Sequence, residues 1–174
     1  MSDFWKRKII LIWRKERLNL KTKEDSSSKI VYMVESGVAA IMYDADIIDF
    51  VSEGDFIGLQ YRWEKACAEA LTEKLVVWQF ERDDIFFEME QIQEGYLYFY
   101  NFMRTSFERY IQKIVASTKP NSERVTLLLS CISRWFGEET EDGYYKIPKY
   151  FTRRILANYT GISYIREVWH IICY

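Results

Sequence analysis

The spacing of apolar residues changes character near residue 82, and that change limits the folds open to this 174-residue chain. Before it, β-branched and aromatic residues come in short runs: KIILIW, RLNLK, KIVYMVES, VAAIMY, DIIDFV and, over residues 75–80, LVVWQF. Turn material such as KEDSSS, SG and EGD separates these runs, so they read as short strands of a sandwich or barrel, with a jelly roll among the options. After it, Ile92, Tyr96, Phe99, Met103, Phe107, Tyr110 and Ile114 recur at three- and four-residue intervals, with no proline and with Gly95 as the one glycine between residues 82 and 117. That period is helical. The two patterns together predict an α+β chain: a sandwich, barrel or jelly roll over residues 1–90, a long helix over 91–118 and a helical unit over 119–174.

The aromatic stripe carries the first functional expectation. A helix of about 20 residues exceeds the usual length, and one small barrel hardly covers it. The stripe of Tyr96, Phe99, Met103, Phe107, Tyr110 and Ile114 therefore predicts pairing with the same helix of a second copy. The alternative is a helix packed on its own domain.

Pro120 interrupts, and SERVTLLLSCISRWFG predicts a further helix that Gly137 stops. EETEDG followed by YYKIP reads as a small hairpin. In FTRRILANYTGIS, Thr152 stands at a helix N-cap, Leu156 and Ala157 supply a buried side, and Gly161 stands where a left-handed residue closes the helix. Ser163 is placed to cap a second helix. Two short helices about a glycine turn form a helix-turn-helix pattern.

Charge points the same way locally and not globally. The net charge is −2 and the pI about 5.6. Yet between residues 146 and 170 Lys146, Lys149, Arg153, Arg154 and Arg166 face Glu167 alone, a concentration suited to phosphates. A solvated helical hairpin is the plainer reading.

Other classes find little support. The three cysteines, Cys67, Cys131 and Cys173, form no CxxC pair, and His170 is the only histidine. That argues against a disulfide framework, a metal cluster or a Ser/His/Asp triad, and predicts a cytoplasmic non-enzyme without a cofactor. No apolar run approaches the length of a membrane helix. IILIW is flanked by Lys and Arg but is too short for a signal-peptide core.

Four stretches, in order and spacing, resemble the Crp/Fnr family of bacterial transcription regulators, its PrfA-like Gram-positive members among them. IVYMVESGVAAIMY is similar to the family's strand–glycine–strand hairpin, and VSEGDFIGL to its "pGdffGe" turn. EKLVVWQFERDDIFFEM looks like the run into the long dimer helix. SERVTLLLSCISRWFG leading to FTRRILANYTGIS looks like the "eRla.lLl" helix and the "lTrqeLAd.lGis" half of the helix-turn-helix. The resemblance implies a homodimeric regulator that binds a palindromic duplex operator, contacts RNA polymerase and answers to a small-molecule effector. Gly54 and Gly58 would then fold the β-roll wall tightly beside the effector pocket, for which Gly58, Tyr61, Trp63, Lys65, Tyr96 and Tyr100 are the candidates.

The departures narrow this. Leu59 follows Gly58 where cyclic-nucleotide binders carry glutamate, and KACA stands where RSA would fall. Lys65 offers a point charge in place of a fork, so control by a cyclic nucleotide is not expected. For DNA, the resemblance nominates Thr152 and Arg153 on phosphates, with Arg154 beside them. On the second helix Arg166 suits guanine, Glu167 a cytosine amino group, and Ser163 and Tyr164 backbone or bases, with His170 at the helix surface or on DNA. A gapless alignment puts Tyr164 and Ile165 at the base-reading positions, a shift of two puts Arg166 and Glu167 there, and a shift of one best aligns Val168 and Ile172 with the buried positions. The sequence ends at Tyr174, before the β-wing that the family resemblance leads one to expect. A β-roll module that binds a small molecule or a protein and does not read DNA is the alternative.

Overall fold

The computed structural model describes residues 8–13, 16–19, 30–59 and 66–162, and within them the chain divides into two compact units at Thr105/Ser106. The first holds eight strands: β1 (Lys8–Trp13), β2 (Arg17–Asn19), β3 (Ile30–Ser36), β4 (Ala39–Tyr43), β5 (Asp46–Val51), β6 (Phe56–Ile57), β7 (Ala66–Ala70) and β8 (Lys74–Glu81). They pair antiparallel into two four-stranded sheets, β1-β8-β3-β6 and β2-β7-β4-β5. Apart from the β4–β5 hairpin, neighbours in each sheet are distant in sequence, which is the jelly-roll order that the run spacing leaves open.

The interior follows from the side chains. Val31, Val34, Phe50, Ile57, Leu75 and Val77 are fully buried. In the second sheet Ala39, Ala40, Ala66, Ala68 and Ala70 are buried together, and where β4 and β7 lie side by side a small residue stands in most pairs, Ala39 opposite Ala70 and Ala68 opposite Ile41. The β3–β8 and β4–β5 pairings each carry one register irregularity, a local bend in the strand.

β8 runs directly into α1 (Arg82–Gln91), which buries Ile85 and Met89 one turn apart. Asp83 and Asp84 in its first turn complement the helix dipole. The helical pattern is then broken. Ile92, expected to start the long stripe, has an extended backbone (φ −98°, ψ 123°) and is more than half exposed. The helix restarts at Gly95, whose backbone lies so close to Met89 that a Cβ there would clash with the Met89 carbonyl. Hence α2 spans Gly95–Ser117, 23 residues, or about 34 Å. Its first turns close an apolar cluster of Val31, Phe56, Ile85, Met89 and Phe102, against which Met33, Leu59, Phe80 and Phe99 pack.

The second unit holds the rest of α2, then α3 (Asn121–Phe136), the hairpin β9 (Glu138–Glu139) with β10 (Tyr145–Lys146), and α4 (Arg153–Thr160). α3 buries Val125, Leu128, Cys131 and Ile132. It begins behind Pro120 with no side-chain cap, and Gly137 ends it in an extended conformation. α4 buries Leu156, Ala157, Tyr159 and Thr160. The Lys113 ammonium sits over the Tyr159 ring, 4.5 Å from its centroid, a cation–π contact between α2 and α4.

Candidate nucleic-acid interface and the exposed helix stripe

α4 is built by local rules at both ends. The Thr152 hydroxyl accepts the Ile155 N–H at 3.4 Å, and Gly161 closes the helix at φ 65°, ψ 31°. The Gly161 N–H reaches the Asn158 carbonyl at 3.0 Å and the Ile162 N–H the Ala157 carbonyl at 3.1 Å. These paired bonds form the Schellman arrangement, with Ile162 and Ala157 both buried beneath it.

The polar side of this element faces water. Thr152, Arg153 and Arg154 are exposed, as are Lys146 and Lys149 just before them. The first turn of α4 holds no acid and two arginines, an arrangement that opposes the helix dipole and adds to its positive N-terminal field. Chemically this is a surface for anions rather than for stability. The other nominated DNA contacts, Ser163, Tyr164, Arg166, Glu167 and His170, lie outside the described residues, as does the second helix that the sequence leads one to expect.

Of the effector candidates, Tyr61, Trp63 and Lys65 also lie outside the described residues. Gly58 is half-buried at φ 89°, and a Cβ on it would meet the Ile30 carbonyl at 3.4 Å. Tyr96 and Tyr100 are each 60% exposed, and the Tyr96 hydroxyl donates to the Glu90 carboxylate at 3.4 Å.

A residue outside the sequence nominations, Tyr98, makes the link between turn and helix. Its hydroxyl donates to the Gly54 carbonyl at 3.0 Å, and its ring meets Phe56 edge-on with centroids 6.4 Å apart. Burial and then the nearby Asp55 charge raise its pKa above the ordinary tyrosine value. Position 98 falls out of the stripe's period, and no local signal joins it to a turn 44 residues earlier.

α2 has two apolar faces. One buries Phe102 and Ala116, together with Ser106 and Arg109, where the Arg109 guanidinium donates to the Ser106 hydroxyl at 3.4 Å. The other is exposed and carries Tyr96, Tyr100, Met103, Phe107, Ile111 and Ile114, at spacings of three and four residues close to those of a heptad seam. Of the nominated stripe, Tyr96, Met103, Phe107 and Ile114 are exposed, Tyr110 is half-buried, and Phe99 packs inward, edge-on to Phe86 with centroids 5.6 Å apart.

No protein-family model and no curated protein sequence matches the chain. Solved structures do. A cyclic nucleotide-binding domain containing protein from Listeria monocytogenes is similar at a TM-score of 0.82 and 16% identity, over 95% of this chain and 80% of that one. A CRP-family transcriptional regulator from Thermus thermophilus is similar at 0.64 and 20% identity, over 94% and 82%. The c-di-GMP responsive global regulator CLP of Xanthomonas campestris is similar at 0.67 and 12% identity, over 95% and 84%. At these identities the likeness is one of fold: the chain has the cyclic-nucleotide-binding-like β-sandwich joined to helices that these structures share.

Proposed function

We propose that the protein is a homodimeric, sequence-specific DNA-binding transcription regulator of the Crp/Fnr type, related to the PrfA-like Gram-positive members. The observation that carries this is α4: a capped helix with exposed Arg153 and Arg154 at its start and a left-handed Gly161 at its end. Such a helix crosses a DNA backbone while the element after the turn enters the major groove. The exposed seam of α2 supplies the pairing of two copies, and the structural relatives named as regulators support the assignment. A palindromic operator, RNA polymerase and an unidentified small-molecule effector complete the proposed partners, with Leu59 in place of a ribose-binding glutamate arguing against a cyclic nucleotide in that role.

The test is fluorescence anisotropy of the purified protein on its own upstream region across a salt series. Tight binding that falls steeply with salt is expected, and Arg153→Ala should weaken binding to every sequence and reduce the salt slope by about one. Arg166→Ala should instead relax preference at one base pair, losing about 1–3 kcal/mol of discrimination. Affinity for the upstream region equal to that for random duplex would overturn the assignment in favour of a β-roll module that does not read DNA.

A further inference from the structure

We propose that Tyr98 is a positioning residue that sets the rotation of α2 against the β-sandwich. The inference rests on the reading of the exposed α2 seam as a subunit interface, and it says what aims that seam.

The observations form a short chain of rigid contacts. The turn at Gly54 is held to β3 by two backbone bonds, Gly54 N–H to the Val34 carbonyl at 3.0 Å and Val34 N–H to the Asp55 carbonyl at 2.9 Å. It is closed on itself by Asp55 N–H to the Ser52 carbonyl at 2.9 Å and Ser52 N–H to the Asp55 carboxylate at 3.0 Å. Its Gly54 carbonyl is thus a fixed acceptor, and the Tyr98 hydroxyl donates to it. Tyr98 and Phe102 lie one helical turn apart and both meet the Phe56 ring edge-on, at 6.4 and 5.2 Å between centroids.

The two kinds of contact do different things. Ring packing holds α2 down, but an edge-on aromatic pair tolerates a broad range of angles and offsets. A hydrogen bond weakens steeply when its angle is lost. Tyr98 and the exposed residues Tyr96, Tyr100 and Met103 sit on opposite sides of the same helix, since each residue advances about 100°. Turning α2 therefore swings the seam aside, and it also pulls the hydroxyl off the Gly54 carbonyl. Without that bond α2 spends part of its time turned, and the dimer constant weakens by the inverse square of the fraction correctly aimed, one factor from each copy. Because Tyr98 is 48% exposed and water competes for the bond, the effect is about two- to fivefold.

The experiment compares Tyr98→Phe with Phe56→Leu in the full chain, by sedimentation equilibrium, thermal unfolding and hydrogen exchange read by mass spectrometry. Tyr98→Phe should weaken self-association about two- to fivefold and speed exchange over residues 52–57 and 95–105, with little change in Tm. Phe56→Leu should lower Tm more and leave the association constant within about twofold, because it removes packing and keeps the bond. An unchanged constant and unchanged exchange over 95–105 in Tyr98→Phe would overturn the proposal. So would Phe56→Leu weakening association as much as Tyr98→Phe, the mark of ordinary packing. If the wild-type chain proves monomeric, the interface reading fails on its own, and exchange over 95–105 still decides the role of Tyr98.

Discussion

Gly161 closes α4 with its backbone in the left-handed region. It is at φ 65°, a conformation costly for any residue with a Cβ, so Gly161→Ala should cost about 1–2 kcal/mol in chemical unfolding. Thr152→Ala should cost about 1 kcal/mol through the lost cap. Both were legible because a cap is a local device. The cysteines are a contrast. Their chemistry depends on surroundings: burial raises the thiol pKa of Cys67, and likewise that of Cys131, against the opposing charges of Arg17 and Arg134 respectively. A raised folded pKa means both thiols stay protonated at neutral pH, and the stability tied to that form is lost as pH climbs through the folded values. Iodoacetamide at mildly alkaline pH should therefore label Cys67 and Cys131 slowly in the native protein and rapidly in denaturant, read by peptide mass spectrometry. Equal rates in the two states would contradict the burial.

At the scale of elements, the switch from strand runs to helical period was plain, and so were α3, the β9–β10 hairpin and α4. The break between α1 and α2 was not. Nothing in Ile92 itself signals an extended backbone, and Gly95 is needed only because Met89 comes close to it in space. Period was equally blind to which apolar face of α2 is used within the chain: Phe99 fits the three/four spacing, yet it packs inward while Tyr100 faces out. The outward face makes its own prediction. Phe107 is 63% exposed, so Phe107→Glu should change the stability of the isolated fold by no more than about 0.5 kcal/mol. It should also abolish self-association in sedimentation velocity, because each charge would be buried against its copy. A dimer that survives the substitution would place the interface elsewhere.

For the whole molecule, the proposed regulator makes a geometric demand on DNA. Two reading elements in a symmetric dimer require half-sites about one helical turn, roughly 34–36 Å, apart. Adding about five base pairs between the half-sites turns one of them to the far side of the duplex, and anisotropy should then show at least about a tenfold loss of affinity. Retained affinity would mean that each copy binds alone. Among the described residues no helix is long and apolar enough to cross a membrane, in line with the absence of a long apolar run in the sequence.

What residue order determined by itself was whatever depends on near neighbours: the strand runs, the helical period, the Thr152 cap, the Gly161 stop and the local excess of arginine and lysine. Such features need only backbone angles and spacing over a few positions. The pairing of β1 with β8, the inward turn of Phe99 and the bond from Tyr98 to Gly54 arise instead from the folded arrangement of the whole first unit. Each joins residues far apart in the chain, and its free energy exists only once the sheets have brought them together.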